Sequence, residues 1–190
     1  MAALFEEVNE FDVTMIDELN RELRIRCPSL RLYYSYNGSW DIGLETKKEK
    51  LSYILLRIEG NKCIITISRT MMKFKQRHLN TCLRYVAAMI ASKKGLPLVS
   101  EATSPISLFT MLKLFKCRIR TPQGLVPQEK LTMKECTEMI IQHGHVEVYA
   151  DTSDYEELVD AAFEAITTIN CESLGGTRKN KKVRHGTRYR

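Results

Sequence analysis

The sequence predicts an α/β domain built on a mixed, mostly antiparallel central sheet flanked by helices, with a disordered basic tail at its C-terminus. Three observations predict it. Apolar residues follow a strand-like period from Leu30 to Ser68, broken by the turn pairs Asn37-Gly38 and Gly60-Asn61. From Arg77 onward, helical stripes alternate with short apolar runs. After Gly175-Gly176 the apolar content falls away and basic residues crowd together.

A helix is expected from Asn9 to Arg26, where Phe11, Met15, Ile16, Leu19 and Leu23 share a stripe and Pro28 follows as a stop. Four strands are expected next, at Leu30 to Tyr36, Trp40 to Leu44, Leu51 to Ile58 and Cys63 to Ile67. The stretch from Arg77 to Lys94 carries Leu79, Leu83, Val86, Ala87, Ile90 and Ala91 at helical spacing and ends at Gly95. Leu96 to Val99 reads as a short strand. Ser104-Pro105 opens another helix as N-cap and first helical residue, and Cys117 to Arg120 leaves it as a strand. Pro122, Gly124 and Pro127 mark a loop. A helix from Thr132 to His143, a strand from His145 to Ala150 and a helix from Asp154 to Ile169 complete the order. This places the domain in residues 1–172 and the tail in residues 173–190.

The 190 residues suit one domain, with 44% hydrophobic residues to form its core. The net charge of +6 belongs to the tail: seven of the 29 basic residues lie between Arg178 and Arg190, and the remaining 22 face 23 acidic ones. Attraction to nucleic acid or another polyanion is therefore expected there. The six cysteines stand singly, without a Cys-x-x-Cys pair, which predicts a reduced intracellular protein. Glu6, Glu7, Glu10 and Asp12 come early and no long uncharged apolar run follows, so neither a secretory leader nor a membrane span is expected.

The segment from Cys63 to Cys117 resembles the core of the GNAT acetyltransferase superfamily. There a central strand enters a loop that cradles the pyrophosphate of an acyl-CoA at a helix N-terminus. The family's loop reads Arg or Gln, two variable residues, Gly, one variable residue, then Gly or Ala. The matching residues are Lys75-Gln76-Arg77-His78-Leu79-Asn80, followed by Thr81, so His78 and Asn80 replace the two small residues. Glycine suits the first because phosphate must approach backbone N–H groups without meeting a Cβ. The resemblance implies acetyl-CoA as cofactor, with its pantetheine along Ile67, Arg69 and Met71. Its pyrophosphate would lie at Lys75, Arg77, His78, Leu79, Asn80 and Thr81, near Ser104 at the next helix start.

It also implies acyl transfer to an amine by direct attack. The family's tyrosine general acid falls on Met111, which has no proton to give, and Glu59 and Glu101 are the carboxylates nominated as general base. The variable acceptor loops correspond to Trp40 to Lys50 and Pro122 to Lys130. Together with the Gly-Gly-Thr-Arg-Lys tail, the loop also resembles divergent GNAT-like proteins of large DNA viruses, implying host cytoplasm, nucleus or virion as the setting.

Other constellations have simpler readings. His143-x-His145 lacks further metal ligands nearby, and Cys82, beside the basic loop, reads as a small core residue before it reads as a nucleophile. Tyr33, Tyr34, Tyr36 and Trp40 flank a turn as hairpin residues, although stacked nucleobases would use the same residue types. Two functions follow: an acetyl-CoA-dependent N-acyltransferase, or an inactive GNAT-like module that binds protein or nucleic acid. If the tail contacts a phosphate backbone, affinity for nucleic acid should fall steeply with salt and vanish on deletion of Arg178 to Arg190. Filter binding at two salt concentrations with full-length and truncated chains checks this, and affinity kept by the truncated chain would refute it.

Overall fold

The computed structural model describes residues 10–74 and 78–171. Helix α1 (Glu10–Arg26) precedes a four-strand meander: β1 (Arg31–Tyr36), β2 (Trp40–Glu45), β3 (Lys50–Glu59) and β4 (Lys62–Thr70). The rest of the chain runs through α2 (Leu79–Lys93), β5 (Leu98–Ala102), α3 (Pro105–Leu114), β6 (Cys117–Thr121), β7 (Gly124–Gln128), α4 (Met133–His143), β8 (Val146–Ala150) and α5 (Tyr155–Thr167). Among the described residues the eight strands form one sheet in the order β1-β2-β3-β4-β5-β8-β6-β7. Its neighbouring strands are antiparallel except β4 and β5. The predicted mixed α/β architecture is therefore present, and its elements begin and end close to the predicted boundaries.

Strand alternation sends one set of side chains into a single core with the helices. Leu32, Ile42, Leu44, Ile54, Leu56, Cys63, Ile65, Leu98, Ala102, Val146, Val148 and Ala150 pack there with residues from all five helices. Helix α2 lies at its centre, touching β2, β3, β4, β5 and α5. Its small residues Ala87, Ala88 and Ala91 are buried completely, which lets its backbone come close to neighbouring elements. On the opposite face Ile64, Val99 and Tyr149 form a separate small cluster.

The first hairpin shows how composition meets geometry. Tyr33 and Gly43 are cross-strand partners, and the tyrosine ring lies so close over the glycine that a Cβ there would come within 2.5 Å of the phenolic oxygen. Glycine is required at that strand position because a ring occupies the place of its side chain. Trp40 is buried and packs on Tyr36 at 5.2 Å between ring centroids, so the aromatic residues serve as hairpin core and edge.

One predicted loop is corrected. Within residues 122–130, Pro122 and Gln123 form a two-residue turn and Gly124–Gln128 is strand β7, paired with β6 from Thr121↔Gly124 to Cys117↔Gln128. It reads like a loop because an edge strand with exposed faces needs no apolar alternation. Pro127, which cannot donate to a ladder, is tolerated only at such an edge. The Trp40 to Lys50 segment likewise is β2 as far as Glu45, and only residues 46–49 form a loop before β3 begins at Lys50.

The expectation of unpaired cysteines is also corrected. Cys27, just after α1, and Cys171, beyond α5, form a disulfide with Cα atoms 5.5 Å apart and 144 residues apart in sequence. Local spacing could not reveal a pair made by α1 packing against α5. Cys63, Cys82, Cys117 and Cys136 are free and buried. Burial pushes the Cys82 thiol up to about 12, which makes it a core residue and a poor nucleophile. Among the described residues no helix is long and apolar enough to cross a membrane.

Denatured without reductant, the chain should expose four reactive thiols of its six, and the native chain should react far more slowly. Thiol titration before and after reduction checks this; six thiols without reductant would exclude the Cys27–Cys171 bond.

Candidate functional site

The parallel neighbours β4 and β5 pair through only three positions, Cys63↔Leu98, Ile64↔Val99 and Ile65↔Ser100. From Thr66 to Thr70, β4 continues to pair with β3 alone, so the two central strands part and leave a wedge between them. A bulge marks the point of departure. The consecutive residues Leu55 and Leu56 of β3 face Ile67 and Ile65 of β4, leaving Thr66 as an extra residue.

One extra residue reverses which side chains face the helices. Beyond the bulge, Ser68 stands opposite the core residue Ile54, and Thr70 stands opposite the buried Ser52, whose hydroxyl lies 2.8 Å from that of Thr70. Ile67 and Arg69 turn to the other face. Ile67 is 43% exposed and Met71, just past the strand, is 40% exposed. These predicted cofactor residues thus sit on the freed end of β4, and the stretch from Ser68 to Lys73 lines a shallow groove.

The chain then makes a single 3-10 turn, Met72–Phe74, which anchors itself by burying Phe74. Lys75 and Arg77 lie outside the described residues. His78 reappears as the N-cap of α2 with φ 59° and ψ 11°, and among the described residues it is the non-glycine with positive φ. The left-handed conformation costs a residue with a Cβ roughly 1–2 kcal/mol. The position at which the loop motif has glycine is therefore one where the backbone demands what glycine supplies. The imidazole makes no capping hydrogen bond and is exposed.

Asn80, in the first turn of α2, links the elements around the wedge. Its Nδ2 donates to Ser68 Oγ at 2.9 Å, and its Oδ1 accepts from Arg84 Nε at 2.9 Å. Arg84 Nη2 reaches Ser107 Oγ at 3.3 Å in the first turn of α3. Ser104 caps that helix by accepting from the Ser107 N–H at 3.3 Å, with Pro105 following at the first helical position. The predicted residues Asn80 and Ser104 are thereby brought to neighbouring helix starts. Leu79 is buried as an anchor of α2, and Thr81 follows in its first turn.

Arg84 is 3% exposed, and its Nη1 has no hydrogen-bond partner. Burial lowers its pKa to about 10, with Cys117 opposing the shift. Sequence reasoning missed it, together with Ser68 and Ser107. The signal was present: a cation three residues before Ala87 and seven before Ala91, on the stripe that α2 buries.

The nominated carboxylates are not gathered at the wedge as a pair. Glu59 ends β3 at the hairpin with β4, beside Lys62 at the end of β4 remote from the start of α2, and is ion-paired with Arg57. Glu101 follows Ser100, the last β5 residue paired with β4, so it is exposed where the strands part. Its cross-strand partner is Glu147. Burial pushes the Glu147 carboxyl up, but hydrogen bonds from Lys62, Tyr149 and Arg120 outweigh that effect and hold it below the ordinary range. Met111, where the resemblance would set a tyrosine general acid, is fully buried in the core.

A wider cleft opens between the α1–β1 connection and the β2–β3 loop, lined by Arg24, Arg31, Glu45, Lys47 and Lys50 among others. It lies towards the same end of the sheet as the wedge: Lys73 forms a 2.7 Å ion pair with Glu49 of that loop. Among the described residues no group of three or more His, Cys, Asp or Glu is placed to hold a metal ion, and His143 and His145 are exposed. The sequence matches no protein-family model and no curated protein.

Replacing His78 by glycine should raise stability by roughly 1 kcal/mol, since the left-handed cap then carries no Cβ. Urea denaturation compares the two chains; an unchanged or lower midpoint would show that the imidazole contributes more than its backbone costs.

Proposed function

We propose that the protein is a divergent GNAT-like domain that binds an acyl-CoA in the β4–β5 wedge and transfers the acyl group to an amine. The observation that carries this reading is the parting of β4 from β5 at the Thr66 bulge, followed by a left-handed residue at the start of α2. A strand end without its second neighbour offers backbone groups to an extended, amide-containing chain such as pantetheine. The N-terminus of α2 offers N–H groups and a positive dipole end to phosphate.

On this reading the neutral amine nitrogen attacks the thioester carbonyl, the C–S bond breaks, and the thiolate leaves. Glu101, at the parting of the strands, takes the proton from the attacking nitrogen. Met111 cannot protonate the departing sulfur, so the thiolate takes its proton from water. The acceptor would enter from the cleft beside the β2–β3 loop, whose mixed charge includes Glu45 and Glu49.

A second reading has its own observation. The hydrogen bond between Asn80 and Ser68 ties the freed end of β4 to the start of α2, and a GNAT-like module that had lost its cofactor would keep such a bridge as a plug. The protein would then serve as a binding module, with the basic residues Arg178 to Arg190 as its contact to a polyanion.

The melting temperature with and without acetyl-CoA separates the two. Saturation at about 100 times the dissociation constant adds about 2.7 kcal/mol. For a chain of this size that raises the midpoint by about 5–10 °C. The shift should be lost in Asn80→Leu, which removes the polar group at the helix start. No shift at millimolar acetyl-CoA would exclude the acyltransferase and leave the binding module.

A further inference from the structure

The Arg84 guanidinium combines features that the packing of a core does not require. It is buried beyond nine-tenths, and none of the ion pairs among the described residues involves it. Its two hydrogen bonds go to neutral oxygens, Asn80 Oδ1 and Ser107 Oγ, and Nη1 has none. A buried charge keeps its place only when something compensates the water it has lost, and an apolar side chain of similar length would fill the same volume without that cost.

The surroundings add positive potential. Asn80 belongs to the first turn of α2, a helix of 15 residues, and Ser107 to the first turn of α3, a helix of 10 residues. The first turns of two helices therefore meet at the Nε–Nη2 edge of one guanidinium, and each N-terminus favours a negative charge. Ser68, on the freed end of β4, joins this network through Asn80.

We propose that Arg84 anchors an oxyanion, a carboxylate or phosphate group of the ligand that enters the wedge, between the first turns of α2 and α3. The proposal rests on the reading of the wedge as a ligand site and adds that the ligand carries its negative charge into the protein. The ligand displaces the Asn80–Ser68 bridge, and its anionic group takes the unsatisfied Nη1 together with hydrogen bonds from Ser107 and the helix starts. A planar guanidinium suits both anions, because its fork meets two oxygens at once.

The test uses the full chain and inorganic phosphate, acetate, and sodium chloride at matched ionic strength. Phosphate or acetate should raise the melting temperature above the chloride control, by about 5–10 °C at saturation. A response to phosphate alone assigns a phosphate group of the ligand; a response to acetate alone assigns a carboxylate. Arg84→Met should fold, melt no lower than the parent by more than a few degrees, and show no response. Asn80→Asp retains the guanidinium and supplies a carboxylate from within, so it too should lose the response.

No response from the parent chain, or a full response kept in either variant, overturns the proposal. A phosphate response that depends on Arg84, without any acetyl-CoA shift, would retain the anion site and remove the acyl-CoA reading. Acetyl-CoA binding undiminished in Arg84→Met would do the reverse.

Discussion

Thr66 is one residue more than β3 can accommodate in regular pairing, and the shape of the site depends on that excess. Without it, β4 would keep its alternation to the end, placing Ile67 towards the helices and Ser68 away from them. With it, a serine and a threonine face the helix layer at the level of α2's first turn, and Ile67 is turned outward. The bulge lies next to Ile65, the last β4 residue that β5 accompanies, so the change of facing and the parting of strands begin at one point. Bulges increase local twist and bend the strand that carries them, which is sufficient cause for two parallel strands to separate.

What opens between the strands is then furnished by two helices that the core positions. α2 is held along its length by buried Leu79, Leu83, Val86, Ile90 and its alanines. α3 is held by Leu108, Met111 and Leu112. Neither helix can slide without dismantling that packing, so their N-termini stay where the wedge begins. Polar side chains occur where the hydrophobic packing stops: Ser68, Asn80, Arg84 and Ser107 form one hydrogen-bonded chain from β4 through α2 to α3. In the interior, groups of this kind persist when they are satisfied or functional. The unsatisfied nitrogen of Arg84 breaks that rule beside the first turns of α2 and α3.

Glu147 and the two cations around it have structural employment. Glu147 is held by Lys62 and Arg120 on the sheet face opposite the helices, where Tyr149 covers Ile64 and Val99 with them. The disulfide fastens the end of α1 to the chain beyond α5. These features stabilise the frame in which the wedge lies.

The sequence by itself determined the order and kind of nearly every element. Turn glycines, helical stripes, the Ser104-Pro105 start and the Gly95 end are local signals, and local signals survive in any tertiary setting. The resemblance set His78 where a loop motif has glycine, and its φ of 59° lies in the left-handed region that glycine adopts freely. Edge strand β7 was hidden by the freedom that edges give to composition, and the Cys27–Cys171 bond by the distance between its partners in sequence. Only the tertiary structure decided which residues meet at the site. Whether Arg84 is a solvated helix residue or a buried, half-satisfied cation depends on β4, α2 and α3 converging, and pairing and packing between distant segments set that convergence. The same holds for Glu59 and Glu101: both are acids near strand ends, and only the strand register places one at the parting of β4 and β5 and the other at the remote hairpin.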